Sequence, residues 1–226
     1  MVEDLDMLVT MIAWLWLPLA AQAGQTVPDA NPATAAATPD AEFWDNVYAG
    51  AGSVFNTAPN AFLVSMVKGL KPGRALDIAM GQGRNSVYLA KLGWDVWGFD
   101  IAERGMELAR KSAAAAGVKI TTFKATLEDF NYGTNRWDLI VGTYVGVRWL
   151  DAAVKSLRPG GFLIIEGYAE HPRAPAGAAF GPNELLKLIL NQKLRVICYE
   201  DVKGEPDWMK LDGVVRIFAS KPASLH

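Results

Sequence analysis

Two carboxylates and two glycines are the residues of this chain whose spacing proposes chemistry. In Asp77-Ile-Ala-Met-Gly81-Gln-Gly83-Arg-Asn85 an apolar run ends in an acid, turns through the glycines and enters a helical pattern. Glycines there let backbone approach a ligand, and the N–H groups that open a helix point at a carboxylate or phosphate. Asp100 stands 19 residues after Gly81, at the end of the next apolar run, where an acid accepts both hydroxyls of a ribose. Together they describe an adenosine-containing ligand at the carboxyl edge of a sheet.

The spacing also discriminates among such ligands. A dinucleotide fingerprint GxGxxG wants a third glycine at position 86, which is Ser86, and has no need of an acid four residues before Gly81. Asp77 fills that place, and a carboxylate there pairs with an ammonium group but repels a pyrophosphate. S-adenosylmethionine fits this pattern and NAD does not. No Gly-Lys-Ser/Thr follows, so a P-loop is excluded.

Composition removes other classes. Cys198 is the only cysteine and His171 and His226 the only histidines, which excludes a disulfide framework, a Cys/His zinc site and a CxxC redox centre, and no motif proposes a metal. Lys+Arg 22 against Asp+Glu 24 leaves a net charge of -2 with no run of like charges, so nucleic acid is not an expected partner.

The elements that must position these residues follow from periodicity. Strands are expected at 74–79, 95–100, 118–123, 138–143, 161–168, 194–200 and 214–220, with helices at 41–48, 60–70, 85–92, 102–116, 150–157 and 184–190. Ala102, Met106, Ala109 and Ala113 share one face of the fourth helix. Strands alternating with helices predict an α/β doubly wound, Rossmann-like, mostly parallel seven-stranded sheet with an antiparallel C-terminal strand and helices on both faces. The run Glu205-Pro-Asp-Trp208 reads as a solvated hairpin loop.

Before this domain, residues 7–23 carry no charge and end in Ala21-Gln22-Ala23, a pattern a signal peptidase could cleave, although the preceding residues Glu3, Asp4 and Asp6 are acidic. With Pro18 inside it, the segment is short for a membrane helix, which needs roughly 20 residues. Residues 24–40, rich in Ala, Pro and Thr, read as a disordered linker, leaving 41–226 for the folded domain. An export signal or membrane tether stands against a cofactor made in the cytoplasm, so localisation stays open, and the sequence does not address oligomeric state.

The motifs resemble those of the class I S-adenosylmethionine-dependent methyltransferases. Their first motif, Asp/Glu-x-Gly-x-Gly-x-Gly, compares with Asp77-x-Ala79-x-Gly81-x-Gly83, alanine replacing the first glycine. Gly98-Phe99-Asp100-Ile101 is similar to the second motif, and Leu157-Arg-Pro-Gly-Gly161 to the Leu-x-Pro-Gly-Gly signature. Gly83-Arg-Asn85-Ser-Val-Tyr-Leu-Ala90 is similar to a run in the tellurite-resistance and thiopurine-type branch. The resemblance implies cofactor contacts from Asp77, Ala79, Met80, Gly81, Gly83 and Asn85 in the turn, and from Asp100, Ile101 and Thr143 at strand ends. The acid that the family uses for the adenine amino group is replaced by Ala125-Thr126-Leu127, which leaves Thr126, the Leu127 N–H or Glu128 for that contact.

Substrate-side candidates follow strands four and five: Tyr144 and Arg148, then Tyr168, His171 and Arg173. For a thiolate or a selenium or tellurium oxyanion, Arg148 or Arg173 would hold the charge; for a hydroxyl or amine, His171 or Tyr144 would take the proton. A lone histidine in a loop is equally a surface residue. Trp44, Tyr48 and Phe55 form either a lid or an ordinary packing face. The expected function is methyl transfer to a small-molecule acceptor, such as a soft thiol or a selenium or tellurium oxyanion, against an NAD-dependent oxidoreductase or a non-catalytic S-adenosylmethionine-binding module.

Overall fold

The computed structural model describes residues 41–50, 55–174, 177–204, 206 and 211–223. The apolar segment 7–23 and the linker 24–40 lie outside the described residues, as do Glu205, Asp207 and Trp208. The strands are β1 (Arg74–Ile78), β2 (Asp95–Asp100), β3 (Thr121–Lys124), β4 (Trp137–Thr143), β5 (Leu157–Ala169), β6 (Ala179–Phe180), β7 (Arg195–Val202) and β8 (Val214–Ser220). The helices are α1 (Ala41–Ala49), α2 (Ala61–Val67), α3 (Arg84–Lys91), α4 (Glu103–Ala115), α5 (Leu150–Ser156) and α6 (Glu184–Asn191). Among them none is long and apolar enough to cross a membrane.

The sheet runs β3-β2-β1-β4-β5-β8-β7, parallel from β3 to β5, with β8 antiparallel to both β5 and β7. The expected seven strands are all present, but the sheet has eight, because the two-residue β6 pairs beside the end of β5. Two residues carry no periodicity, so such a strand leaves no pattern in a sequence. Strand order reverses between β1 and β4, which places the crevice typical of such sheets at their carboxyl ends.

Register and two-residue alternation sort the side chains into two layers. Leu76, Ile78, Phe99, Ile140, Leu163, Ile165 and Ile217 pack under α5 and α6 through Leu150, Val154, Leu185 and Ile189. On the other face, Ala75, Val96, Leu139, Val141, Ile164 and Phe218 pack under α2 and α3 through Phe62, Leu63, Val67 and Leu89. Helices therefore cover both faces, as the alternation predicts. The four small or apolar positions predicted for one face of α4 are all buried, Ala102 and Ala109 completely.

Toward the carboxyl ends the second layer changes character. The residues that continue it are Asp77, Thr143, Glu166 and Arg216, with Thr143 opposite Glu166 and Glu166 opposite Arg216. A polar row thus replaces the apolar one beneath the N-termini of α2 and α3.

Candidate active site

Asp77, near the end of β1, is buried, and Ser86 Oγ donates to its Oδ2 at 2.6 Å. Burial pushes its carboxyl up to about 6, with the Ser86 hydrogen bond and the Arg84 charge opposing. The chain then turns tightly: Met80 N donates to Phe99 O at 3.0 Å and Gly83 N to Met80 O at 2.8 Å. The turn needs left-handed backbone at Ala79 (φ 51), Gly81 (φ 51) and Gly83 (φ 74). Gly83 is required twice, since a Cβ there would lie 2.5 Å from Ala109 Cβ on α4. Alanine at 79 accepts a conformation that costs an L-residue roughly 1–2 kcal/mol.

Asp100 closes the other side of the turn. Its Oδ2 accepts from Gly81 N at 2.8 Å and its Oδ1 from Ala102 N at 2.9 Å, so one carboxylate fixes both the glycine turn and the start of α4. Burial raises its pKa despite those hydrogen bonds. Ala102, the N-cap of α4, has no side chain with which to cap it, and Asp45 of α1 supplies the missing acceptor to Arg104 N at 2.8 Å. α1 therefore docks on α4, and its Tyr48 lies over the turn. A Cβ on Gly81 would collide with Tyr48 Oη, and one on Gly105 would be 2.9 Å from Tyr48 Cε2. Burial and the Asp100 charge raise the Tyr48 phenol pKa. Trp44 and Phe55 pack on the Tyr48 ring at 6.3 and 5.2 Å. The aromatic trio is a packing face, and Tyr48 is its member against the turn.

The β4–β5 side is built from distant residues. Asn60 caps α2 by accepting from Leu63 N at 2.9 Å, donates from its own N–H to Asn85 Oδ1 at 2.9 Å, and donates from Nδ2 to Glu166 Oε1 at 2.8 Å. Asn85 in turn donates to Thr143 Oγ1 at 3.2 Å. Glu166, 1% exposed, also accepts from Tyr144 Oη and pairs through Oε2 with Arg216 Nε at 2.8 Å; Arg216 reaches Glu200 at 3.2 Å. Tyr144 itself is half-buried, with φ 57, its ring packed at a 37° tilt against the fully buried Tyr168 at a separation of 4.9 Å.

Residues 75–161 match the family model described as a methyltransferase domain. The chain is 29% identical over 143 residues to a ubiquinone biosynthesis O-methyltransferase of Cereibacter sphaeroides, covering 61% of this chain and 53% of that protein. It is 34% identical over 89 residues to TehB of Haemophilus influenzae, covering 39% of this chain and 31% of that protein. The crystal structure of TehB superposes with a TM-score of 0.63 at 23% identity, over 74% of this chain and 63% of that one. In motif and fold the chain is similar to the class I S-adenosylmethionine-dependent methyltransferases. It spans about half the length of the ubiquinone biosynthesis relatives it matches. The fold also superposes at a TM-score of 0.63 and 14% identity on the [4+2]-cyclase SpnF, over 84% of this chain and 99% of that one, so the sheet alone does not fix a reaction.

The sequence-derived candidates divide. Asp77, Ala79, Met80, Gly81, Gly83, Asp100 and Ile101 gather around one turn, and Asn85 and Thr143 join it to β4. Thr126 has its hydroxyl in a local turn, accepting from Asp129 N at 3.0 Å and donating to Asp129 Oδ2 at 2.8 Å, while Leu127 O accepts from Tyr132 Oη at 3.0 Å. Arg148 is an exposed partner of Glu128 at 3.4 Å. His171 accepts from Arg173 N at 3.1 Å and lines a separate cavity of about 270 Å³ with Glu170, Asp201 and Asp212. Asn60, Glu166 and Arg216 carry no motif, and the only sequence signal for any of them is that Glu166 interrupts an otherwise apolar run within its strand.

Proposed function

We propose that the protein transfers a methyl group from S-adenosylmethionine to a small-molecule acceptor. The observation that carries this reading is the pair of buried carboxylates, Asp77 and Asp100, framing a turn whose left-handed glycines leave no room for side chains. The donor set suits the cofactor. Asp77 would hold the ammonium group, Asp100 the ribose hydroxyls, and the Gly81–Gly83 backbone would lie against the methionine portion. Bound there, the cofactor supplies a methyl already activated on a sulfonium, with a neutral leaving group.

The protein's own share is orientation and exclusion of water. Asp100 serves through backbone as well as side chain, because it holds the Gly81 N–H and the first turn of α4 in place. Tyr48 covers the turn, and Ser86 orients the Asp77 carboxylate. Ser86 stands where a dinucleotide-binding turn has its third glycine, so that departure from the fingerprint is explained by a bond to the acid the fingerprint lacks.

Calorimetric titration with S-adenosylhomocysteine tests the reading. Asp77→Ala and Asp100→Ala should each weaken binding more than tenfold. Because Asp77 pairs with an ammonium only when ionised, wild-type affinity should climb as pH rises through about 6. Unchanged affinity in both variants would sink the assignment.

A further inference from the structure

Methyl transfer to a small molecule leaves the chemistry of the acceptor open, and the Tyr144–Glu166–Arg216 cluster narrows it, on the premise that the protein is a methyltransferase of this kind. Glu166 is held as an anion by the Arg216 guanidinium on one oxygen, while Asn60 and Tyr144 donate to the other. A carboxylate has only acceptor capacity, so the Tyr144 hydroxyl hydrogen is committed to it. What the phenol oxygen can then offer to any other group is a lone pair. Its backbone is held to match: Tyr144 N donates to Glu166 O at 2.7 Å, and the residue keeps a left-handed conformation that a bulky side chain adopts only under constraint. The phenol belongs to the residue just beyond Thr143, whose hydroxyl is bonded to Asn85 of the glycine turn, so it borders the place where the two halves of the crevice meet.

The charges around it run against an anionic acceptor. Arg216 is shared by two carboxylates, Glu166 and Glu200, which leaves that trio with a net negative charge. Arg148 is on the surface with Glu128. We propose that Tyr144 is the acceptor-binding residue, that it takes a hydrogen bond from the O–H or N–H of a neutral acceptor, and that Glu166 and Arg216 position it for this polarity. The substrate class is then hydroxyl or amine compounds, and selenium or tellurium oxyanions are disfavoured. The half-buried Tyr144 ring, backed by the fully buried Tyr168, is itself an aromatic surface, which suits a planar acceptor such as a phenol.

The test uses the full chain with S-adenosylmethionine and a panel of catechol, tyramine, thiophenol and selenite, together with calorimetric binding of catechol to protein saturated with S-adenosylhomocysteine. Wild type should methylate catechol or tyramine in preference to thiophenol and leave selenite unreacted. Tyr144→Phe should lose at least tenfold in kcat/KM for the hydroxyl or amine acceptor and at least tenfold in catechol affinity. Thiophenol turnover and S-adenosylhomocysteine affinity should stay within about twofold. An equal loss on all acceptors, or a wild type that prefers selenite or thiophenol, overturns the inference. So does a wild type that binds S-adenosylhomocysteine but methylates neither catechol nor tyramine, and the methyl-transfer reading survives that result. Failure to bind S-adenosylhomocysteine at all overturns the methyl-transfer reading itself.

Discussion

The two halves of the crevice are built on different principles. The β1–β2 side is built on backbone: a turn of five residues, three of them left-handed, with Asp100 holding the Gly81 N–H and Asp77 bonded to the Ser86 hydroxyl. The β4–β5 side is built on side chains from four distant elements, Asn60 to Glu166 spanning 106 positions and Tyr144 to Glu166 spanning 22. A backbone site is local and tolerates change around it. A side-chain network is only as good as its most remote member, because each buried polar group left without a partner costs its desolvation.

Breaking the network should therefore cost most. Glu166→Ala removes the partner of Arg216, Asn60 and Tyr144 at once and should destabilise the fold by about 3–5 kcal/mol, the usual range for breaking a buried ion pair. Urea denaturation measures it. S-adenosylhomocysteine affinity of the protein that remains folded should change little, and a large loss would show that the halves are not separable.

Asp77 should behave in the opposite sense. Its folded pKa of about 6 lies above the ordinary 3.8, so the ionised carboxylate weakens the fold, and that cost accumulates as pH rises from about 4 through 6. Asp77→Asn should stabilise the protein at pH 8 by an amount on the order of 3 kcal/mol. At about pH 3, where the carboxyl is largely neutral in both states, most of the gain should vanish, while at neutral pH cofactor binding falls more than tenfold. Thermal denaturation at the two pH values, beside calorimetry, reads the trade of stability for ligand affinity.

A smaller effect tests the cover. Gly105→Ala would ordinarily favour a helix by about 1 kcal/mol, yet its Cβ would press on the Tyr48 ring and the Gly81 backbone. Faster chymotryptic cleavage at Trp44 and Tyr48 is expected, with S-adenosylhomocysteine affinity reduced several-fold. Smallest of all, Ala79→Gly relieves the left-handed strain at φ 51 and should raise stability by roughly 0.5–1 kcal/mol after the added chain entropy of glycine. A destabilised Ala79→Gly would mean that the methyl group packs in a way that offsets the strain.

The same contrast explains what a sequence can disclose. The sheet, its faces and the glycine turn follow from periodicity and from residues close along the chain, so Asp77, Gly81, Gly83 and Asp100 are legible as a set. Glu166 is not, because a single acid within an apolar strand does not disclose which way it faces or what partners it. Only the register of β5 against β4 and β8 turns it inward to Tyr144 and Arg216. The arginines and histidine after β4 and β5 are visible candidates for the converse reason: position at a carboxyl edge is readable, and direction is not. Arg148 and His171 take their partners in Glu128 and the Arg173 backbone.

Tyr48, seated between Gly81 and Gly105, makes α1 a thermodynamic partner of whatever occupies the turn. A ligand over Gly81 shares a surface with that phenol, so docking of the helix and occupancy of the site are two faces of one linked equilibrium. The chain upstream of Ala41 is attached to the element that carries this linkage. A ligand in the turn would therefore change how firmly α1 docks on α4, and loosening α1 would change the affinity for that ligand.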